Sequence, residues 1–267
     1  MMTTVNPALH LARVRETSPL IHNITNFVAM NSMANVLLAI GASPAMVHAR
    51  EEAGEFAGLA QALTINIGTL SPHWVDAMIE AASAAQTTGT PWVLDPVAVG
   101  ATTYRRQTAR QLVALSPTVI RGNASEIMAL VNQSSGGRGV DSTDAADSAL
   151  DAALQLARQT GAVVAVTGEQ DIVTDGQRLA RIEGGHPLMP KVTTLGCSLT
   201  GVVAAFIADA EDIFAATVAA LDGYAAAGER AGKDAKGPGS FSVAFLDALH
   251  GLDAGALSGR HLEIEHV

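Results

Sequence analysis

Short, largely apolar segments alternate with stretches of helical periodicity along almost the whole chain, and this alternation limits the fold more than any other feature. Leu63–Ile67, Trp92–Leu94, Thr118–Ile120 and Ala162–Val166 read as strands. Strands covered on both faces need side chains that tolerate burial on both, and parallel neighbours need helical crossovers between them. The intervening segments supply those helices. From Asn26 to Ile40, Phe27, Met30, Met33, Ala34, Leu37 and Leu38 fall three and four apart. Gly41 is placed to end that helix and Pro44 to prevent its continuation. Ser71 is suited to cap a helix with Pro72 at its first position, running to about Gln86. Further helices are expected over 105–115, 124–131 and 144–159, the last capped by Asp144. The expectation is an α/β fold, a mostly parallel sheet with helices on both faces.

The remaining segments fit around this frame. A first helix ends near Thr17-Ser18-Pro19, and Leu20–Thr25 is extended. Gln133–Thr143 is polar and Gly-rich, which predicts a surface loop. Asp171–Thr174 and Arg178–Ile182 flank Asp175-Gly176 and predict a hairpin. Ala-rich helices are expected at 198–208 and 211–231, a break at Gly237-Pro238-Gly239, and a final helix over Ser240–Leu249. No composition break, linker or internal repeat divides residues 1–267, so one domain is expected.

Composition excludes several function classes. There are 26 acidic residues against 16 basic, a net charge of −10. A non-specific nucleic-acid binder needs the opposite surplus to neutralise phosphates. The few Trp and Tyr residues lack basic interleaving and give no stacking platform. A single Cys rules out an intrachain disulfide and a Cys-cluster metal site, and the His residues lack metal-ligand spacing. The apolar run Gly201–Leu221 is cut by Asp209, Glu211 and Asp212, so it is no membrane span. No basic and apolar leader opens the chain. A cytoplasmic protein without nucleic-acid or membrane partners is expected.

In open α/β sheets ligands bind beyond the carboxyl ends of the strands. The polar residues there are Asn66, Asp95, Arg121, Asn123, Glu126 and Thr167. Asp95, between a strand and a Pro, can orient Mg²⁺ through water or accept a proton; a strand-end Asp also serves to satisfy loop N–H groups. Glu126 stands three residues after Asn123, the spacing of a capping box, and a carboxylate has acceptor sites for a second role. Arg121 presents a fixed fork of donors that suits phosphate, or an ordinary salt bridge. The segment from Thr193 to Thr200 is the strongest local signal. A turn containing Gly196 opens an apolar helix, whose first N–H groups form an anion site suited to a phosphoryl group in transfer. Cys197 lies at that helix start, where the dipole lowers a thiol pKa; the alternative is a buried, inert Cys. There is no G-x-x-x-x-G-K-[ST] and no G-x-G-x-x-G, so an ATP user of this kind is not of the P-loop type.

Taken together and in order, these pieces resemble the hydroxyethylthiazole kinase family, with its ribokinase-like three-layer sandwich. The matching segments are S-P-L-I-H-N-I-T-N-F-V at 18–28, G-A-S-P-A-M at 41–46, N-I-G-T-L at 66–70 and V-L-D-P-V at 93–97. G-A-T at 100–102, I-R-G-N-A-S-E-I at 120–127, T-G-E at 167–169, K-V-T-T-L-G-C at 191–197 and G-P-G-S-F at 237–241 complete the set. Each is weak alone; their order from Ser18 to Leu249 is specific. The resemblance implies ATP-dependent phosphorylation of the hydroxyethyl group of 4-methyl-5-(2-hydroxyethyl)thiazole in thiamine salvage. It implies Mg²⁺, with ATP as co-substrate, and a homotrimer with sites at the subunit interfaces. Carried over residue by residue, Asn26, Met46 and Thr194 match substrate positions, with Met46 close to the ring. Arg121, Thr167 and Gly196 match nucleotide or phosphate positions, Asp95 and Glu126 the acidic pair associated with the metal. Cys197 matches the place where related sugar kinases carry a catalytic Asp. Thr194 and Ala98 depart from the family, where Gly is frequent at both positions. A positive φ at Thr194 would strain the loop.

Overall fold

The computed structural model describes residues 5–135, 145–257, 260, 262 and 264–267. Its strands are β1 (Leu20–Ile24), β2 (Ser43–Ala45), β3 (Ala62–Asn66), β4 (Trp92–Asp95), β5 (Val119–Asn123), β6 (Val163–Thr167), β7 (Asp171–Thr174), β8 (Arg178–Ile182) and β9 (Ile264–His266). Its α-helices are α1 (Pro7–Thr17), α2 (Met30–Ile40), α3 (Arg50–Leu59), α4 (Pro72–Thr88), α5 (Thr103–Val113), α6 (Ala124–Ser135), α7 (Ala145–Thr160), α8 (Leu195–Ile207), α9 (Ile213–Gly232), α10 (Pro238–His250) and α11 (Ala254–Leu257). The strands form one sheet in the order β2-β1-β3-β4-β5-β6-β7-β8-β9. Pairing is parallel from β2 through β6 and antiparallel from β6 to β9. This is the expected mostly parallel sheet with helices on both faces.

Successive strand residues send their side chains to opposite faces. Val93, Val119, Val163 and Ala165 face the core beneath α1, α2, α8, α9 and α10, with Met33, Leu37, Phe206, Phe214 and Phe245. Trp92, Leu94, Ile120, Val164 and Val166 face the other core, beneath α3 to α7, with Trp74, Met78, Ile127 and Leu156. Each such side chain contributes about 1.5–3 kcal/mol on burial. Among the described residues no helix is long and apolar enough to cross a membrane.

Several boundaries differ from the sequence reading. Helix α2 begins at Met30, because the Asn26 side chain closes a turn by accepting from the Ala29 N–H at 3.0 Å. Phe27, taken as part of the apolar stripe, is 65% exposed. Pro44 does stop α2, but it also lies in β2, an edge strand where its missing N–H is harmless. Helix α3 escaped the reading: its Gly- and Glu-rich sequence buries only Ala53 and Ala57. Helix α5 begins earlier than expected, capped by the Thr102 hydroxyl, which accepts from Arg105 N at 3.2 Å. Helix α6 continues to Ser135, past the expected start of the loop. The rest of that loop, and the Asp144 cap, lie outside the described residues. Helix α8 starts at Leu195, and α10 uses Pro238 at its first turn.

Candidate active site

The parallel topology brings the carboxyl ends of β1, β3, β4, β5 and β6 side by side, and the polar residues there meet. Asp95 closes β4 and is 1% exposed. Its Oδ2 accepts from Asn66 Nδ2 at 2.7 Å and from the Thr200 hydroxyl at 2.9 Å, and faces Arg121 Nη1 at 3.5 Å. Its Oδ1 is buried with no hydrogen-bond partner among the described residues. Burial pushes the Asp95 pKa up to about 6, against the pull of Arg121 and with a further push from Glu126. Arg121 Nη2 donates to the Thr167 hydroxyl at 2.7 Å, which joins the ends of β5 and β6.

Helix α8 enters over this cluster. Ser198 N donates to Thr194 O at 2.8 Å, the first bond of the helix. The amides of Leu195, Gly196 and Cys197 therefore have no acceptor within the helix. A Cβ on Gly196 would come within 3.4 Å of Arg121 Nη2, so the guanidinium lies directly against this turn. The Tyr224 hydroxyl donates to Leu195 O at 2.8 Å and supports the turn from the buried side. Thr194 itself is left-handed, with φ 74° and ψ −9°, and its hydroxyl shares a short hydrogen bond with that of Ser32. Ala98 is also left-handed, with φ 52°. Both positions where this sequence departs from glycine thus have the conformation that glycine adopts most readily.

Cys197 is half-buried, and its Sγ accepts from Asn26 Nδ2 at 3.2 Å. Its thiol pKa is raised, first by burial and then by the charge of Asp95; Asn26, Asn66 and Arg121 pull the other way. The expected lowering at a helix start is therefore reversed, because desolvation and a nearby carboxylate outweigh the donors around the sulfur. Glu126 is a capping residue: its Oε2 accepts from Asn123 N at 2.8 Å, while Asn123 Oδ1 accepts from Glu126 N at 3.0 Å. Its Oε1 also accepts from Ala98 N at 2.9 Å, which ties the loop after β4 to α6. Met46 is not part of the network; it follows β2 and packs half-buried against the core. Lys191 is exposed.

Beside Arg121, Thr167 and Gly196 opens a cavity of about 640 Å³. Apolar side chains line it, among them Ile182, Pro187, Met189 and Leu199. Asp171 also lines it, accepts from Gly168 N at 2.9 Å, and is pushed up to about 6 by burial. Among the described residues no group of three His, Cys, Asp or Glu side chains could hold a metal by itself.

Two site-building residues had no assigned role in the sequence reading. Asn66 was noted only as a polar strand end, yet it joins Asp95 to Asn26. Arg105 was given only as a helix boundary; its guanidinium donates to the carbonyls of Ile67, Val97 and Gly68 and fixes both loops beside the site. In a chain with so few charges, an Arg in the first turn of a helix beside two strand-end loops is the signal that could have found it.

Comparison with known proteins identifies the family and the fold. Residues 11–255 match the hydroxyethylthiazole kinase family. A hydroxyethylthiazole kinase of Rhizobium etli is 62% identical over 94% of this chain and 97% of its own. One of Cereibacter sphaeroides is 61% identical over 95% of this chain and 97% of its own. The solved hydroxyethylthiazole kinase of Pyrococcus horikoshii superposes with a TM-score of 0.90 at 39% identity, covering 98% of both chains. A Staphylococcus aureus pyridoxal kinase solved with AMP-PCP shares the fold at a TM-score of 0.62 and 16% identity, over 93% of this chain and 99% of its own. The chain has a ribokinase-like fold and belongs to the hydroxyethylthiazole kinase family.

Proposed function

We propose that this chain transfers the γ-phosphoryl group of ATP to the primary alcohol of 4-methyl-5-(2-hydroxyethyl)thiazole, giving the thiazole phosphate and ADP in thiamine salvage. The observation that carries the reading is the seating of the α8 turn: Gly196 lies against Arg121, and Thr200 of the same helix bonds Asp95. A phosphoryl group in flight carries charge on its equatorial oxygens and needs donors set in advance. The amides of Leu195, Gly196 and Cys197, with Arg121, supply them. Thr167 and Arg121 hold nucleotide phosphates, and the apolar side chains lining the cavity suit the base.

Asn26, Thr194 and Met46 form the alcohol side, with Met46 against the thiazole. The alcohol oxygen bonds to phosphorus, the bond from phosphorus to the ADP oxygen breaks, and the alcohol proton is released. Cys197 Sγ, already an acceptor toward Asn26, orients the hydroxyl as a thiol and takes the proton only as a thiolate. A loose transition state asks little of a base, so orientation by the neutral thiol suffices, with the proton passing to solvent.

Asp95 and Glu126 are the residues that would hold Mg²⁺. They fit it as part of a nucleotide complex, since Mg²⁺ is commonly bound by one or two carboxylates together with phosphates and water. Among the described residues Asp95 Oδ1 is a buried acceptor without a hydrogen-bond partner. When bound, the ion neutralises charge on the phosphates.

The protein works in the cytoplasm as a single kinase domain, assembled as a homotrimer with its sites at the subunit interfaces. Phe27 and Val28, next to Asn26, are 65% and 61% exposed in the monomer and give that interface apolar surface beside the site. The test is ADP release by purified protein with ATP and Mg²⁺, with and without the thiazole alcohol. The reading requires release that depends on it and exceeds that with hydroxymethylpyrimidine or a sugar. ADP release indifferent to the alcohol would overturn it.

A further inference from the structure

Two buried carboxamides join the lone cysteine to Asp95. Asn66, fully buried at the end of β3, donates from Nδ2 to Asp95 Oδ2 at 2.7 Å. Its Oδ1 accepts from Asn26 Nδ2 at 3.0 Å and from Gly68 N at 2.8 Å. Those contacts fix the amide orientation, because its oxygen cannot face a carboxylate. Asn26 Oδ1 accepts from Ala29 N at 3.0 Å. Both hydrogens of Asn26 Nδ2 are then committed, one to Asn66 Oδ1 and the other to Cys197 Sγ at 3.2 Å. Gly68 leaves room for this arrangement: a Cβ there would come within 2.9 Å of Asn26 Cβ, Asn26 Nδ2 and Asn66 Oδ1.

We propose that Asn66 is a positioning residue for phosphoryl transfer, holding the Asn26 carboxamide so that its second hydrogen stays on Cys197 Sγ and fixing the sulfur relative to Asp95. The proposal rests on the kinase reading above for its catalytic consequence, but its physical core does not need turnover. Asn66 acts on the cysteine chiefly through Asn26, and its own pull on the thiol is the smaller of the two. Removing Asn66 and removing Asn26 therefore cost the sulfur largely the same hydrogen bond, and the two losses overlap instead of adding in full.

The single cysteine provides the readout. Iodoacetamide labelling of the folded protein reports on Cys197 alone, and an N–H donor to sulfur favours the reactive thiolate. Asn66→Ala and Asn26→Ala should each slow labelling by about three- to tenfold, the worth of one hydrogen bond. The double variant should be slower than Asn26→Ala by clearly less than Asn66→Ala slows the parent. In the kinase assay Asn66→Ala should lower kcat by about tenfold with the KM for ATP unchanged. Should Asn66→Ala fail to fold, Gly68→Ala keeps both asparagines and crowds Asn26 Nδ2 and Asn66 Oδ1 apart by contact; it should slow labelling in the same way. Wild-type labelling in the folded variant, or losses that multiply in the double variant, would overturn the proposal. The predicted labelling pattern in a protein that makes no ADP with the thiazole alcohol would uphold the carboxamide link and reject the substrate reading instead.

Discussion

Asp95 Oδ2 and Arg121 Nη1 face each other at 3.5 Å across the adjacent strands β4 and β5, the carboxylate side chain 1% exposed and the guanidinium 10%. Taking both charges out of water costs more than this single contact returns, which is why the Asp95 pKa stays raised despite its partner. A pair held on such terms at the mouth of an anion site is arranged for ligand binding more than for stability.

Removing the cation should expose that cost. Arg121→Met leaves a buried carboxylate uncompensated, a loss of about 3–5 kcal/mol. The folded Asp95 already binds its proton more tightly than the unfolded chain, with a pKa near 6 against 3.8, and loss of Arg121 raises it further. The folded state then holds the extra proton, so stability falls as the pH rises through that window. Urea denaturation should show a deficit that is large at pH 7.5 and shrinks toward pH 5. An equal deficit at both would contradict the account.

Thr194 is left-handed, which costs a residue with a Cβ about 1–2 kcal/mol. Its hydroxyl bond to Ser32 offsets part of this. Thr194→Gly loses the bond and the strain together and should leave stability within about 1 kcal/mol of the parent. Thr194→Val keeps the strain, loses the bond, and should cost about 1–2 kcal/mol. Equal melting temperatures for the two variants would show that the loop is not strained there.

Cys197 carries a thiol that burial and Asp95 hold in its neutral form. Cys197→Ala should therefore reduce kcat by about tenfold, less than the 10²–10⁴ that a matched general base supplies. Full turnover in that variant would remove the sulfur from the mechanism, and a larger loss would make it a true base.

His22 is fully buried, donates from Nε2 to Val47 O at 2.6 Å, and has no partner at Nδ1 among the described residues. Burial lowers its pKa from 6.5 to about 4. The unfolded chain takes up the proton first as the pH falls, so stability worth about 3 kcal/mol is present above pH 6.5 and lost on going down to pH 4. His22→Gln, which can keep a donor to Val47 O, should gain on the parent by that amount across this window. A constant difference between the two would contradict the assignment.

Much of the fold was legible because parallel strands buried on both faces leave apolar runs such as Ala162–Val166, and because their helices carry caps such as Ser71 before Pro72. The strand-end polar residues Asp95, Arg121 and Thr167 were legible for the same reason, since the runs end where the polar residues begin. Helix α3 was hidden because it buries little more than two alanines. The edge strand at Pro44 was hidden because proline reads first as a helix stop. The Asn26–Asn66 link was out of reach, since it depends on side chains 40 residues apart meeting across neighbouring strands. The thiol of Cys197 was misjudged because its sequence position shows the helix start but not the burial or the carboxylate beneath it.

The account stands on where the transferred phosphate sits. A crystal structure with a non-hydrolysable ATP analogue and the thiazole alcohol tests that directly. It should show the terminal phosphate on the amides of Leu195, Gly196 and Cys197 and on Arg121, with the alcohol oxygen between that phosphate and Cys197 Sγ. A terminal phosphate bound away from the α8 turn, with the alcohol in place, would contradict it.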